Sequence, residues 1–361
     1  MTPDPTASTS AAERGVSIVI PSWNGRALLE RFLPSVLAAA DAFKSACRQP
    51  AEIVVADDAS DDDTLAWLAA HYPRVRVEST SHRAGFAPTA NRGVRSARYA
   101  LVYVLNNDVA LDASALPPLT AHFAADAGAA RVFAVSSQVY DYDTGRLTGA
   151  GQLSQFRRGF IGIHRRYFVE SAAAEQGRPW LTLFATGGSS MFDRSAFLEL
   201  GGFDESFAPF GWEDVELSLR AWKQGFEVHY EPRSAVWHQF SSTIKPAYSS
   251  RYVRTIYERN RLLAHWYHLD MRGQTAAHTG FLALKLLGSL FNGHWELWQA
   301  IPQALARRGD IRARRQAAAT RPRVRLGAVL DRVAAELNRP GAKLLDDELA
   351  PRRSWRGSES G

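Results

Sequence analysis

A single cysteine, Cys47, stands among 361 residues. That excludes an internal disulfide framework, and with no CxxC or Cys/His pairing there is no zinc signature. Long hydrophobic runs are missing as well. No stretch reaches the roughly 18 uninterrupted apolar residues of a transmembrane helix. Residues 1–14 (MTPDPTASTSAAER) lack the apolar core of a secretory signal and read as a disordered lead-in. The expected compartment is the cytoplasm, with a peripheral position on the inner face of the cytoplasmic membrane as its variant. Internal repeats are absent, and low complexity is confined to a tail at 351–361. Apolar residues make up 46% and charged residues 22%, which fits one large or two medium folded domains.

Acidic residues are scarce where basic ones crowd. Residues 301–325 carry Arg307, Arg308, Arg312, Arg314, Arg315, Arg321, Arg323 and Arg325 against the single Asp310. The formal charge of +6 therefore belongs to this segment, and the rest of the chain is nearly neutral. Such a run meets nucleic acid, anionic lipid or water. No nucleic-acid module accompanies it, and no nucleic-acid partner is expected.

The N-terminal third alternates strands with helices. VSIVI at 16–20, EIVVA at 52–56 and ALVYVL at 100–105 are unbroken apolar runs of buried-strand type. Helical spacing covers Arg26–Ala40, Thr64–Tyr72 and Asn91–Arg98, and Val75–Glu78 reads as a short strand. This alternation predicts a mostly parallel sheet whose ligands gather at the carboxyl ends of the strands. There the three runs end in Pro21-Ser22-Trp23-Asn24, Asp57-Asp58 and Asn106-Asn107-Asp108. Past residue 130 a strand is predicted over Val132–Gln138, residues 151–180 show no periodicity, and a helical region begins near 250.

Each polar cluster has a structural and a chemical reading. Asp57 can accept from a nucleobase or cap the following helix, although Asp61, Asp62 and Asp63 are better placed as caps. Asp108 at the end of a buried strand needs a partner or a cation, unless the tripeptide is only a turn. Mg²⁺ or Mn²⁺ would suit it, since such ions take few carboxylates together with phosphate oxygens. Trp212-Glu213-Asp214 opens a helix whose stripe is Val215, Leu219 and Trp222. Asp214 stands off that stripe in the first turn, as a dipole complement or as a general base. His238 is a structural histidine or a metal ligand. Gly187-Gly188 indicates a close backbone approach, and Gly201-Gly202 a helix stop.

Taken in order, VSIVIPSWNG, VVADDASDDDT, HRAGFAPTANRGV, YVLNNDV, ATGGSSMFDR, GGFDESFAPFGWEDVELSLRAWKQGFEVHY and AVWH resemble the family 2 glycosyltransferases over residues 15–262. The nearest likeness is to bacterial rhamnosyl-, galactofuranosyl- and other cell-surface polysaccharide transferases. The resemblance implies an α/β fold of GT-A type: a Rossmann-like, mostly parallel sheet flanked by helices, here with a helical C-terminal extension. Its halves would be 15–110 for the nucleotide and 111–262 for the acceptor, followed by a basic helical region at 263–350. It implies inversion at the anomeric carbon of a UDP- or dTDP-linked sugar, with a lipid-linked or polysaccharide acceptor. Pro21, Trp23 and Asn24 would line the nucleotide pocket, and Asp57 would meet the base. Arg83, Gly85, Asn91 and Gly93 would cover ribose and diphosphate. Asn106-Asn107-Asp108 would stand for the metal-binding Asp-x-Asp, with Asn107 beside the nucleotide, Asp108 holding Mg²⁺ or Mn²⁺, and His238 a further ligand. Asp214 would be the base, oriented by Glu213.

Two other readings compete. A non-catalytic nucleotide-sugar-binding protein would explain Asn106 in place of the first Asp. A nucleotidyltransferase would need a Gly-rich basic loop that Ser22-Trp23-Asn24-Gly25 does not supply. Beyond the resemblance, GFLALKLLGSLF at 280–291, Trp295, Trp298 and the Arg run suit an interfacial helix on an anionic membrane over 280–325, or a helical cap on the catalytic domain.

Overall fold

The computed structural model describes residues 13–124, 130–174, 177–240, 248–293, 295–319, 324–346 and 350–357. Most of residues 1–14, the end of the 351–361 tail, and Arg321 and Arg323 lie outside these.

Strand β1 (Glu13–Ser22) sits centrally in the main sheet, flanked by β2 (Ala51–Asp57) and β4 (Tyr99–Leu105), with β3 (Arg76–Glu78) outermost. These four are parallel, as the alternation with helices predicts. Side chains of β1 alternate strictly between two cores. Val16, Ile18 and Ile20 face helix α1 (Arg26–Cys47) through Leu29, Leu33, Val36 and Phe43. Val19 faces helix α3 (Phe86–Ser96) through Ala87, Ala90 and Val94. A continuous apolar strand is thus what a sheet covered on both faces requires, each large side chain contributing roughly 1.5–3 kcal/mol. Helix α3 lies close on the sheet at Gly93, where a Cβ would stand 2.4 Å from Val19 Cγ1.

The second half of the sheet is mixed. Between β5 (Val109–Leu111) and β6 (Val132–Asp141) lies the short helix α4 (Leu116–Ala121). Strand β11 (Ser189–Asp193) runs antiparallel between β4 and β6, and β6 pairs in parallel with β12 (Glu227–His238). The strand β5 then pairs antiparallel with the end of β12. Residues 151–180, unpatterned in sequence, form a hairpin of β8 (Gly151–Arg157) and β9 (Phe160–Val169) in a second small sheet. Helix α7 (Glu213–Lys223) buries the predicted Val215, Leu219 and Trp222. Its Glu216–Arg220 pair is an internal ion pair, with Glu216 held down to about 2: burial opposes ionisation, and Arg220 and His268 outweigh it.

Among the described residues five further α-helices follow: α8 (Ser250–His268), α9 (Arg272–Asn292), α10 (Glu296–Leu305), α11 (Arg308–Ala319) and α12 (Leu326–Ala334). Helix α10 buries Leu297, Ala300 and Ala304, and α12 buries Leu326, Val329, Leu330 and Val333. Residues 351–357, expected to belong to a disordered tail, lie instead along the sheet edge. Arg352 bridges to Arg146, the ring of Trp355 sits 4.9 Å from that of Trp237, and Arg353 pairs with Asp112 at 2.7 Å. The disordered lead-in likewise ends sooner than expected, because Glu13 and Arg14 already belong to β1.

Candidate functional site

The loops after β1, β2 and β4 open on one cavity of about 770 Å³, at the strand ends where α/β sheets hold ligands. Pro21, Trp23, Arg83, Gly85, Asn107, Asp108, Glu213, Asp214 and His238 all line it. Four other expected site residues do not, among them Gly93, which packs α3 against Val19 and Ala56 of the sheet. Asn24 braces one loop against another, its side chain exchanging hydrogen bonds with Asp61. The Asp57 carboxylate, fully buried, accepts from the Ser60 amide and hydroxyl. Asn91 closes on Phe203, donating to its carbonyl and accepting from its amide, and so joins α3 to the Gly201-Gly202 turn.

Asp58, next to Asp57, does more for the cavity. Its carboxylate accepts from the amides of Ala84 and Gly85 and from the Thr89 hydroxyl, each at 2.8 Å. That fixes the loop carrying Arg83, whose guanidinium lies 3.3 Å from the centre of the Trp23 ring and 5.3 Å from that of Tyr248. A cation between two aromatic rings is held flat without losing its charge. Gly85 has a φ of 94° and leaves no room for a side chain, since a Cβ would meet Pro209 Cα at 2.9 Å. The acidic cluster after β2 also divides differently from expectation: Asp62 accepts from the Thr64 amide, and Asp63 pairs with Arg26.

Asp108 and His238 are brought together by strand pairing. Val109 in β5 stands opposite His238 in β12, and the Gln239 amide donates to the Asp108 carbonyl. Asp108 Oδ1 then lies 3.0 Å from His238 Nε2. The two are out of hydrogen-bond alignment, and this buried carboxylate oxygen has no hydrogen-bond partner. Donors about 3.0 Å apart match neighbouring positions around an octahedral cation with bonds near 2.1 Å. The pair therefore fits a Mg²⁺- or Mn²⁺-sized ion. Among the described residues no three His, Cys, Asp or Glu groups converge on a metal position. Further ligands would have to come from a bound phosphate or water.

On the cavity's other lining element, Trp212 precedes α7 with a φ of 72°, a left-handed conformation that costs a bulky residue energy. It sets Glu213 and Asp214 at the helix start. Asp214 Oδ2 accepts from the Gly187 amide at 3.2 Å, and Oδ1 from the Val215 amide at 2.8 Å. Glu213 is buried, and its Oε2 has no partner. Burial first, and the Asp214 charge second, push Glu213 up to about 8. Burial also raises Asp214, while its amide donors oppose the shift. The larger shift on Glu213 and the two amide donors on Asp214 favour a shared proton on Glu213 over one on Asp214. Tyr257 of α8, unremarked in the sequence, lines the same wall. Burial, then the Glu213 and Asp214 charges, push its phenol to about 12. The Gly187-Gly188 loop closes the floor: Gly188 accepts from the Asn106 amide, and a Cβ there would stand 2.4 Å from the Asn106 side chain.

The family model for glycosyl transferase family 2 matches residues 17–201, more than half of the chain. The chain belongs to glycosyl transferase family 2. A second family model, the N-terminal domain of galactosyltransferase, matches residues 166–239. Polypeptide N-acetylgalactosaminyltransferase 10 of Mus musculus is 30% identical over 230 residues, 62% of this chain and 37% of that protein. Human polypeptide N-acetylgalactosaminyltransferase 16 is 28% identical over 249 residues, 65% of this chain and 42% of its own. The matches thus span less than half the length of these relatives. Among solved structures, GalNAc-T7 with UDP, GalNAc and Mn²⁺ superposes with a TM-score of 0.54 at 19% identity, covering 72% of this chain and 49% of that one. The fold is therefore of the GT-A type.

Proposed function

We propose that this chain transfers a sugar from a nucleoside-diphosphate donor to an acceptor hydroxyl with inversion, assisted by a divalent cation. One observation carries the reading: a single cavity is lined both by the Asp108–His238 pair at a strand end and by the Glu213–Asp214 pair at a helix start. Inversion calls for groups of these two kinds, one set toward the leaving diphosphate and one toward the attacking hydroxyl. Asp108 and His238 would hold the cation, which when bound neutralises charge on the diphosphate. Trp23 offers a face for the base, and Arg83 a cation for the phosphates. Asp214, ionised and steadied by the Gly187 amide, would take the acceptor proton. Glu213, protonated beside it, keeps the local charge from doubling.

The relatives are N-acetylgalactosaminyltransferases by name. UDP-N-acetylhexosamines are therefore the first donors to test, beside the dTDP- and UDP-linked sugars that the rhamnosyl and galactofuranosyl likeness suggests. A lipid-linked or polysaccharide acceptor completes the reading. The test is a thermal-shift screen of nucleotide sugars with and without Mn²⁺, followed by hydrolysis of any donor that raises the melting temperature. Metal-dependent hydrolysis supports the reading. Tight binding with no hydrolysis or transfer would favour a non-catalytic sugar-nucleotide-binding protein.

A further inference from the structure

Helix α9 makes few inward contacts. His278 stacks 5.1 Å from His265 and donates from Nδ1 to the Gly159 carbonyl, and Leu282 and Leu286 pack against the core. Outward it shows Phe281, Leu284, Leu287, Leu290 and Phe291 to solvent, Leu284 at 62% and Phe291 at 91%. Positions 284, 287 and 291 fall on one helical stripe. Helix α10, tied to α9 by the Trp298 indole donating to Ser289, adds the exposed Trp295, Trp298 and Leu305. Scattered exposed apolar residues are ordinary, whereas a run of eight on two joined helices marks a binding surface.

Charge names the partner. From Arg272 to Gly309 the sequence holds one acidic residue, Glu296, which is buried and paired with Arg254 at 2.7 Å. The same span holds Arg272, Lys285, Arg307 and Arg308. A cleft of about 230 Å³ beside α9 is walled by Trp266, Leu269, Leu305 and Ile311, together with Arg308 and Arg315. Apolar walls beside guanidinium groups suit an acyl chain under a phosphate headgroup. A second copy of the chain would set these cations mainly against their own mates, since they outnumber the neighbouring acids, exposed Asp310 and the Lys285-paired Glu258. Among the described residues, no helix is long and apolar enough to cross a membrane.

We propose that α9 and α10 seat the protein on the surface of an anionic bilayer, the apolar stripe entering the acyl boundary and Arg272, Arg307 and Arg308 meeting lipid phosphates. This narrows the acceptor of the reading above to one presented at a membrane, and only that narrowing rests on the earlier reading.

The test is co-sedimentation of the full chain with vesicles of phosphatidylcholine, alone or mixed with phosphatidylglycerol, at low and high salt. Binding to the anionic vesicles is expected, with release as salt rises. Changing Leu284, Leu287 and Phe291 together to Gln should weaken it by more than about tenfold, since three exposed apolar side chains no longer enter lipid. Arg307→Gln with Arg308→Gln should weaken it and flatten its salt dependence. Melting temperature and donor hydrolysis in solution should not change in either variant. Absence of vesicle binding, equal binding to neutral vesicles, or undiminished binding by the apolar-stripe variant would overturn the proposal. So would a dimer that depends on the stripe and ignores lipid. Vesicle binding by a chain that hydrolyses no donor would sink the glycosyl-transfer reading and leave this one standing.

Discussion

Asp108 and His238, more than a hundred residues apart in sequence, stand 3.0 Å from each other because β5 and β12 pair antiparallel at their ends. Neither has the sequence context of a metal ligand by itself. Asp108→Ala should abolish most metal-dependent binding of a nucleoside diphosphate, with a smaller loss for His238→Ala, which keeps the carboxylate. Calorimetry with and without Mn²⁺ reads both. Metal-dependent affinity that survives in Asp108→Ala places the cation elsewhere.

Asp214→Asn preserves shape but cannot take a proton, and it keeps only one of the two backbone amide contacts. Turnover should fall by roughly 10²–10⁴-fold while donor affinity changes little, the usual pattern when a general base is lost. Steady-state kinetics with the donor found in the screen is the measurement. A loss of only a few-fold would move the base to another group, Glu213 first.

The same pair predicts a pH dependence of stability. Glu213 is raised from an ordinary 4.5 to about 8 in the folded chain, so the native state holds a proton that the unfolded chain gives up above about 4.5. Its contribution is complete below that point and is lost as pH climbs through about 8. Asp214 moves the same way, and the pair titrates as a unit. Glu213→Gln keeps a neutral group at every pH. Its melting temperature relative to the wild type should therefore rise between pH 5 and 9, and a flat difference would show that Glu213 titrates normally.

Gly93→Ala should destabilise the fold by about 1–3 kcal/mol through overpacking. The added methyl would lie 2.4 Å from Val19 Cγ1 and 3.1 Å from Ala56 Cβ, both in the buried sheet. Helix propensity favours Ala by about 1 kcal/mol and offsets part of this. Urea denaturation gives the balance, and a variant as stable as the wild type would mean that α3 can lift from the sheet at little cost.

What the sequence disclosed followed from local physics. The runs ending at Pro21, Asp57 and Asn106 announce buried strands, because a continuous apolar stretch stopped by polar residues has few other uses. The stripe of Val215, Leu219 and Trp222 likewise placed Glu213 and Asp214 at a helix start. Local physics could not say which of two adjacent carboxylates faces the cavity, so Asp57 drew the attention that Asp58 merits. Asn91 looked free for a ligand, since nothing local shows that the Phe203 backbone arrives to occupy it. The hairpin of β8 and β9 is not legible in the sequence because its alternation is broken by Gly and Arg. Tyr257 depends on how α8 docks, which no spacing in sequence encodes.

The strand that delivers His238 is finished from far downstream. The Trp237 indole, next to His238, donates to the Arg353 carbonyl, a contact that spans 116 residues of chain. During synthesis β12 must therefore wait for those residues to leave the ribosome before its outer side is covered. Until then an aromatic edge stays open to solvent and to chaperones. Covering of the corner that carries His238 thus comes only after the chain through Arg353 has been made.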